Sequence, residues 1–236
     1  MPSQISDLTG KVLLYFLVFA RTSSMIMLLP AIGDAGIPPR IRLGLSLAIC
    51  FAMAPVVAHF YPAKAPQSAI GLGITLIEEI IPGLLIGGMS RLIMSALSVA
   101  GQMIATQIGL AYAQTIDPSF GEQGVIVGTF FSLLGTVLIF ATNLHHLAIA
   151  AIVGSYTIIP PGGALPFSDM AQEAINLVSG SFALGLQLAA PFVVFGFAVN
   201  AAIGLLARLM PQLQVFFIAM PVNMLAGFFL MMLLLG

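Results

Sequence analysis

Long apolar runs, separated by short polar or proline-containing stretches, dominate this chain. They occupy residues 12–32, 41–60, 69–90, 92–113, 125–154, 177–207 and 213–235. A membrane-spanning helix needs roughly 20 apolar residues, so each run predicts a helical segment of about that length. The third and fourth runs, 69–113 together, read as one broken hairpin, which gives about six or seven segments. The predicted fold class is all-α and membrane-associated, built from bent helical hairpins in a single domain over residues 1–236.

The most telling interruption lies in 101–124, GQMIATQIGLAYAQTIDPSFGEQG. Gly101, Ala105 and Gly109 recur at every fourth position, a spacing that lets helix backbones approach closely where no hydrophobic force drives them together. The pattern then breaks at Asp117-Pro118 into a loop whose only charges are Asp117 and Glu122, and apolar character resumes at Val125. Non-helical backbone near a bilayer is tolerated only where protein buries it or it lines a water-filled cavity. This segment therefore predicts part of a pore or of a packed assembly. Gly83-x3-Gly87 and Gly124-x3-Gly128 share the small-residue spacing, which plain helix packing also explains.

Composition sharpens the picture. The chain is 60% apolar and 6% charged, with a mean hydropathy of +1.12. A soluble domain carries about 25% charged residues, so this chain cannot clothe a soluble globule of its length. A net charge of −1 offers no footprint for nucleic acid. Asp7 precedes the first run, Arg21 interrupts it, and no small-x-small site closes it, so the first segment is expected to be retained rather than cleaved. Cys50 is the one cysteine, which excludes an internal disulfide and a thiolate metal cluster. Arg40 and Arg42 follow the first run and Lys64 the second, whereas loops 117–124 and 160–173 hold no Lys or Arg. Positive-inside reasoning puts those two loops on the extracytoplasmic side.

Arg21, Glu78, Glu79, Arg91 and Arg208 lie within or at the rims of apolar runs. Such a side chain costs about 2.5–3.5 kcal/mol at the centre of an inserted helix, so these charges are expected to face protein or to snorkel. Pro55, Pro82, Pro191 and Pro221 also fall inside the runs, and each removes an intrahelical hydrogen bond. With Glu78, Glu79 and Pro82 in one five-residue window, the third segment is predicted to be both charged and broken.

Catalytic chemistry finds little purchase. His145 and His146 are adjacent and so point to different faces of a helix; no HExxH exists, and His59 stands alone. The Gly33-Asp34 pair lacks the second carboxylate of an aspartyl protease. Ser155, Ser179 and Ser181 lack a nucleophile elbow, and no phosphate-binding glycine loop is present. Neither an enzyme nor a bound cofactor or metal is predicted. Pro82 beside Gly83 and Pro191 near Gly196 are compatible with the paired broken helices of a secondary transporter, but Glu78-Glu79 has no counterpart in the second half.

Three blocks carry a resemblance over nearly the whole chain: LLPAIGDAGIPPRIRLGLSLAI at 28–49, GQMIATQIGLAYAQTIDP at 101–118 and GLLARLMPQLQVFFIAMPV at 204–222. In their order and spacing they resemble the FliR/SctT family of type III secretion export-gate membrane proteins. Injectisome members tend to carry an Arg-containing stretch just before the acid-proline loop. Here 106–112 holds no basic residue, which favours the flagellar branch, with the injectisome branch as the alternative. One departure is the stop at Gly236 directly after an apolar run, where family members often continue with a short tail.

The resemblance implies a funnel-like, helical multisubunit gate of several FliP and FliQ copies with one copy of the FliR-type subunit, itself similar to a FliP-like and a FliQ-like part joined. It implies FlhB and FlhA as neighbours, unfolded flagellar proteins as the exported cargo, and a place in the bacterial inner membrane at the flagellar basal body, in contact with membrane lipid. It also implies that residues 109–124 plug the pore. Leu110, Tyr112, Ile116 and Phe120 suit a narrow, water-excluding lumen; Gly109 and Pro118, beside Asp117, give the segment its hinges. The alternative is a surface loop away from any channel. Subunit packing is expected to involve Arg40, Arg42, Glu78, Glu79, Arg91, Arg208, Pro211 and Gln212. In this scheme Arg208 pairs with Glu78, Glu79 or a carboxylate on FliP, or else snorkels at a helix end.

Overall fold

The structure is a computed structural model that describes residues 2–34, 36–61, 68–110, 123–163, 166–210 and 215–235, with side chains for all of these except 2–9, 123–125, 215–218 and 235. Seven α-helices and no β-strand occur among the described residues. They are α1 (Pro2–Leu28), α2 (Pro39–Val57), α3 (Ala69–Gln107), α4 (Gln123–Ala141), α5 (Leu144–Ile158), α6 (Phe167–Leu209) and α7 (Val215–Leu235). A 3-10 turn, Ala58–Phe60, follows α2. Four stretches are long and apolar enough to cross a membrane, within α1, α2 with its 3-10 turn, α3 and α6, and the bent pair α4–α5 makes a fifth if counted as one span.

Two expectations about where the helices break are corrected. Residues 69–107 form no hairpin: α3 runs unbroken for 39 residues with Pro82 inside it. Proline costs one hydrogen bond and crowds the preceding turn, but Pro82 is fully buried, and packing of that turn against α1 offsets the loss. The break falls instead inside the apolar run 125–154. There α4 and α5 meet at a 77° bend, where Asn143 sits in the left-handed region at φ 59°. Asn is one of the few non-glycine residues that adopt this conformation routinely. The Thr142 hydroxyl donates to the Leu138 carbonyl at 2.6 Å and closes the last turn of α4.

The chain forms two compact units. The first comprises residues 1–92 and 136–177. Its core joins Val18 of α1, Cys50, Ala54 and Val57 of α2, and Tyr156 of α5, continuing through Met25, Leu29, Met53 and Ile152. Here α3 approaches α1 at its glycines. A methyl group on Gly87 would lie 2.6 Å from the Met25 carbonyl oxygen, and one on Gly83 would collide with the Ser24 hydroxyl.

The second unit comprises residues 93–135 and 178–236. Ile104, Ala105 and Ile108 of the α3 end pack with Val127 and Phe131 of α4 and with Ala189 and Phe192 of α6. Gly101 makes the closest approach, for a Cβ there would sit 2.6 Å from the Gly128 Cα. Gly83, Gly87 and Gly101 thus mark true backbone contacts, the use that membrane helices make of such residues, and Ala105 is buried in the second unit's core.

Candidate functional site

The charges inside the apolar runs lead to the main polar cluster. On α3, Glu79, Gly83 and Gly87 follow one another at four-residue steps and share a face. On α1, Arg21, Met25 and Leu28 share a face through steps of four and three residues. The glycines draw these faces together, and Arg21 and Glu79 then meet. Both are 1% exposed, and Arg21 Nε donates to Glu79 Oε2 at 2.7 Å. Nη1 donates to the Ile159 carbonyl at 3.0 Å and to Ser155 Oγ at 3.3 Å. The Tyr156 ring covers the guanidinium, 4.1 Å from Cζ to the centroid.

A buried ion pair costs on the order of several kcal/mol per ion in desolvation, which good geometry and further hydrogen bonds offset. Arg21 therefore ties α1, α3 and the end of α5 into one polar knot. The knot is incompletely satisfied. Among the described residues, Arg21 Nη2, Thr22 Oγ1, Tyr61 Oη and Tyr156 Oη are buried without a hydrogen-bond partner.

The other charges expected at packing positions are distributed differently. Arg42 holds the turn before α2, donating from Nε to the Ile37 carbonyl at 3.2 Å and from Nη1 to the Gly33 carbonyl at 3.4 Å. Arg40, Arg91 and Arg208 are exposed, and Glu78 is half-buried. Glu79 is engaged by Arg21. Arg208 ends α6, where a cation suits the negative end of the helix dipole.

The proposed plug segment is entered at Gly109. Helix α3 ends at Gln107; Gly109 takes φ +88°, and its N–H donates to the Thr106 carbonyl at 3.2 Å. Left-handed glycine is a common way to stop a helix. Leu110 packs against the second unit's core. Tyr112, Ile116, Asp117, Pro118, Phe120, Pro211 and Gln212 lie outside the described residues.

Nothing in the sequence marks Ser155, Tyr156 or the Ile159 carbonyl as partners of a charge. The available signal was Glu79 standing four residues before Gly83, which puts the acid on the close-packing face. His145 and His146, expected on different faces, have ring centroids 4.2 Å apart at the start of α5. No group of three or more potential metal ligands occurs among the described residues.

A buried charge pair in long apolar helices, with wide apolar faces left open, defines a polytopic α-helical membrane protein. Residues 12–236 match the bacterial export proteins, family 1, and the chain belongs to that family. It is 46% identical, over 89% of its length and 84% of the relative's, to flagellar biosynthetic protein FliR of Caulobacter vibrioides. Its identity to the Escherichia coli K12 protein of the same name is 30%, over 92% and 82% of the two chains. It is 27% identical to Yop proteins translocation protein T of Yersinia pestis, over 93% and 85%. The resemblance read from three sequence blocks thus extends over nearly the whole chain.

Proposed function

We propose that this chain is the FliR-type subunit of the flagellar type III protein-export gate, set in the bacterial inner membrane and enclosed by FliP and FliQ, with FlhB and FlhA nearby. Its task is to help form the conduit for unfolded flagellar proteins. The observation that carries this reading is the length and openness of the long helices. α3 and α6 have 39 and 43 residues, about 58 and 64 Å along the axis, roughly twice a hydrocarbon core. Their outer faces are apolar and open, with Phe197 77% exposed. Lipid alone does not cover such a length, whereas sister subunits do. The higher identity to a flagellar relative than to the Yop translocation protein supports the flagellar system, and export-family membership favours this reading over a secondary transporter.

In this reading residues 109–124 close the conduit at rest, and the turn at Gly109 is where the chain leaves α3 to do so. A photocrosslinker at Tyr112 or Phe120 during stalled export is expected to capture the exported chain or FliP. Crosslinks to lipid alone, or none, would remove the plug. Restoration of motility in a flagellar mutant lacking its own subunit tests the system assignment, and failure with intact membrane insertion counts against it.

A further inference from the structure

Helix α7 is apolar from Val215 to Leu235 except at Asn223, its one polar side chain. An amide in such a helix is costly unless it is hydrogen-bonded. Asn223 Nδ2 donates to the Gln107 carbonyl at 3.3 Å, across 116 residues of chain. Gln107 is the last residue of α3, and the last carbonyls of a helix have no partner within it. Asn223 thus caps α3 from another helix. Gly227 follows Asn223 by four residues and shares that face of α7. It is buried, and a Cβ there would collide with the Ile108 side chain. On α6, a Cβ on Gly196 would collide with the Gln107 side-chain oxygen. Two consecutive residues, Gln107 and Ile108, are therefore gripped by α7 and α6 just before Gly109 turns the chain at φ +88°. All of these residues belong to the second unit.

The amide is badly used if its role is stability alone. Its bond to Gln107 is long for an N–H···O contact. Asn223 Oδ1 is buried without a hydrogen-bond partner among the described residues, and a half-satisfied buried amide stabilises less than an apolar side chain. What the amide supplies is direction. Helix ends fray, and a left-handed glycine frees the heading of the chain rather than fixing it. A hook on the final carbonyl, with Gly196 and Gly227 seating the side chains on either side of it, fixes both where α3 stops and which way the chain leaves.

We infer that Asn223 is a positioning residue for the closed conduit: its amide, with Gly196 and Gly227, sets the heading of the chain at Gly109. This rests on the reading of residues 109–124 as the resting closure, and it deepens that reading by giving α7 control over it.

The test uses the full-length chain in its assembled complex in native membranes. Asn223→Leu removes the hook without adding charge, and Asn223→Gln keeps an amide donor. Asn223→Leu is expected to assemble and unfold thermally like the unsubstituted protein. Its resting ion leak should nevertheless rise about fivefold or more, because water re-enters a constriction that closes by excluding it. The crosslinks formed by a photocrosslinker at 112 should shift as well. Asn223→Gln is expected to leak less than Asn223→Leu. Gly227→Ala, which pushes on Ile108 with the hook intact, should also raise the leak. Failure of Asn223→Leu to assemble would make the amide a structural bond and overturn the inference. An unchanged leak with unchanged crosslinks, or equal leaks from the Leu and Gln variants, would do the same. The two proposals fail separately. Crosslinks from 112 to lipid alone in the unsubstituted protein sink the plug, whereas a crosslink pattern that Asn223→Leu does not move sinks the role of Asn223.

Discussion

The Arg21–Glu79 pair, sealed among apolar helices, is the residue-level feature with the largest energetic stake. Removing one partner strands a buried charge, at about 3–5 kcal/mol, whereas replacing both with apolar residues of similar volume is neutral or stabilising. Arg21→Met and Glu79→Leu are each expected to lower the thermal midpoint and membrane level of the purified complex, and the double variant to recover both. Equal losses in all three would show that the pair is not a unit. Tyr156 separates two contributions of one side chain. Its ring lies over the guanidinium, a contact worth about 2 kcal/mol when desolvated, while its hydroxyl is buried without a partner. Tyr156→Phe is therefore expected to leave the midpoint unchanged or raised and Tyr156→Leu to lower it. The reverse order, read by thermal unfolding, would contradict the geometry.

At the scale of elements, the glycines decide which helices touch. A Cβ on Gly101 meets backbone atoms of Gly128, which cannot rotate away, so Gly101→Val is expected to destabilise by about 1–3 kcal/mol through overpacking. Gly154, within α5, has open space where its Cβ would be, and Gly154→Ala should stabilise by roughly 0.5–1 kcal/mol. Matched thermal unfolding of the two variants checks the sign of each. The same elements show what the sequence makes legible. The apolar runs and the small-residue spacings 83/87 and 101/105 could be read directly, because helical period and backbone approach are written in residue type. The helix breaks could not. Pro82 looked like an end but is held by burial, and Asn143 looked unremarkable but turns the chain, because local preference there yields to packing. Arg21 and Glu79 were legible as costly charges, but their union was not, because it depends on two helix faces 58 residues apart being brought together by glycine contacts.

For the whole molecule, too little of the apolar surface is covered by the chain itself. Residues as large as Phe197, Leu225 and Met232 stand more than two-thirds exposed, and α3 and α6 are each far longer than a bilayer needs. A protein of this kind is completed by neighbours, and expression without them is expected to give material that aggregates or is degraded, because large open apolar faces associate indiscriminately. The most direct test of that account is the native mass of the tagged chain released gently from the membranes of its own flagellated host. A single copy bound in a larger complex with several FliP and FliQ chains is the expected result. A stable monomer or homo-oligomer, surrounded by lipid on every side and free of those proteins, would contradict it.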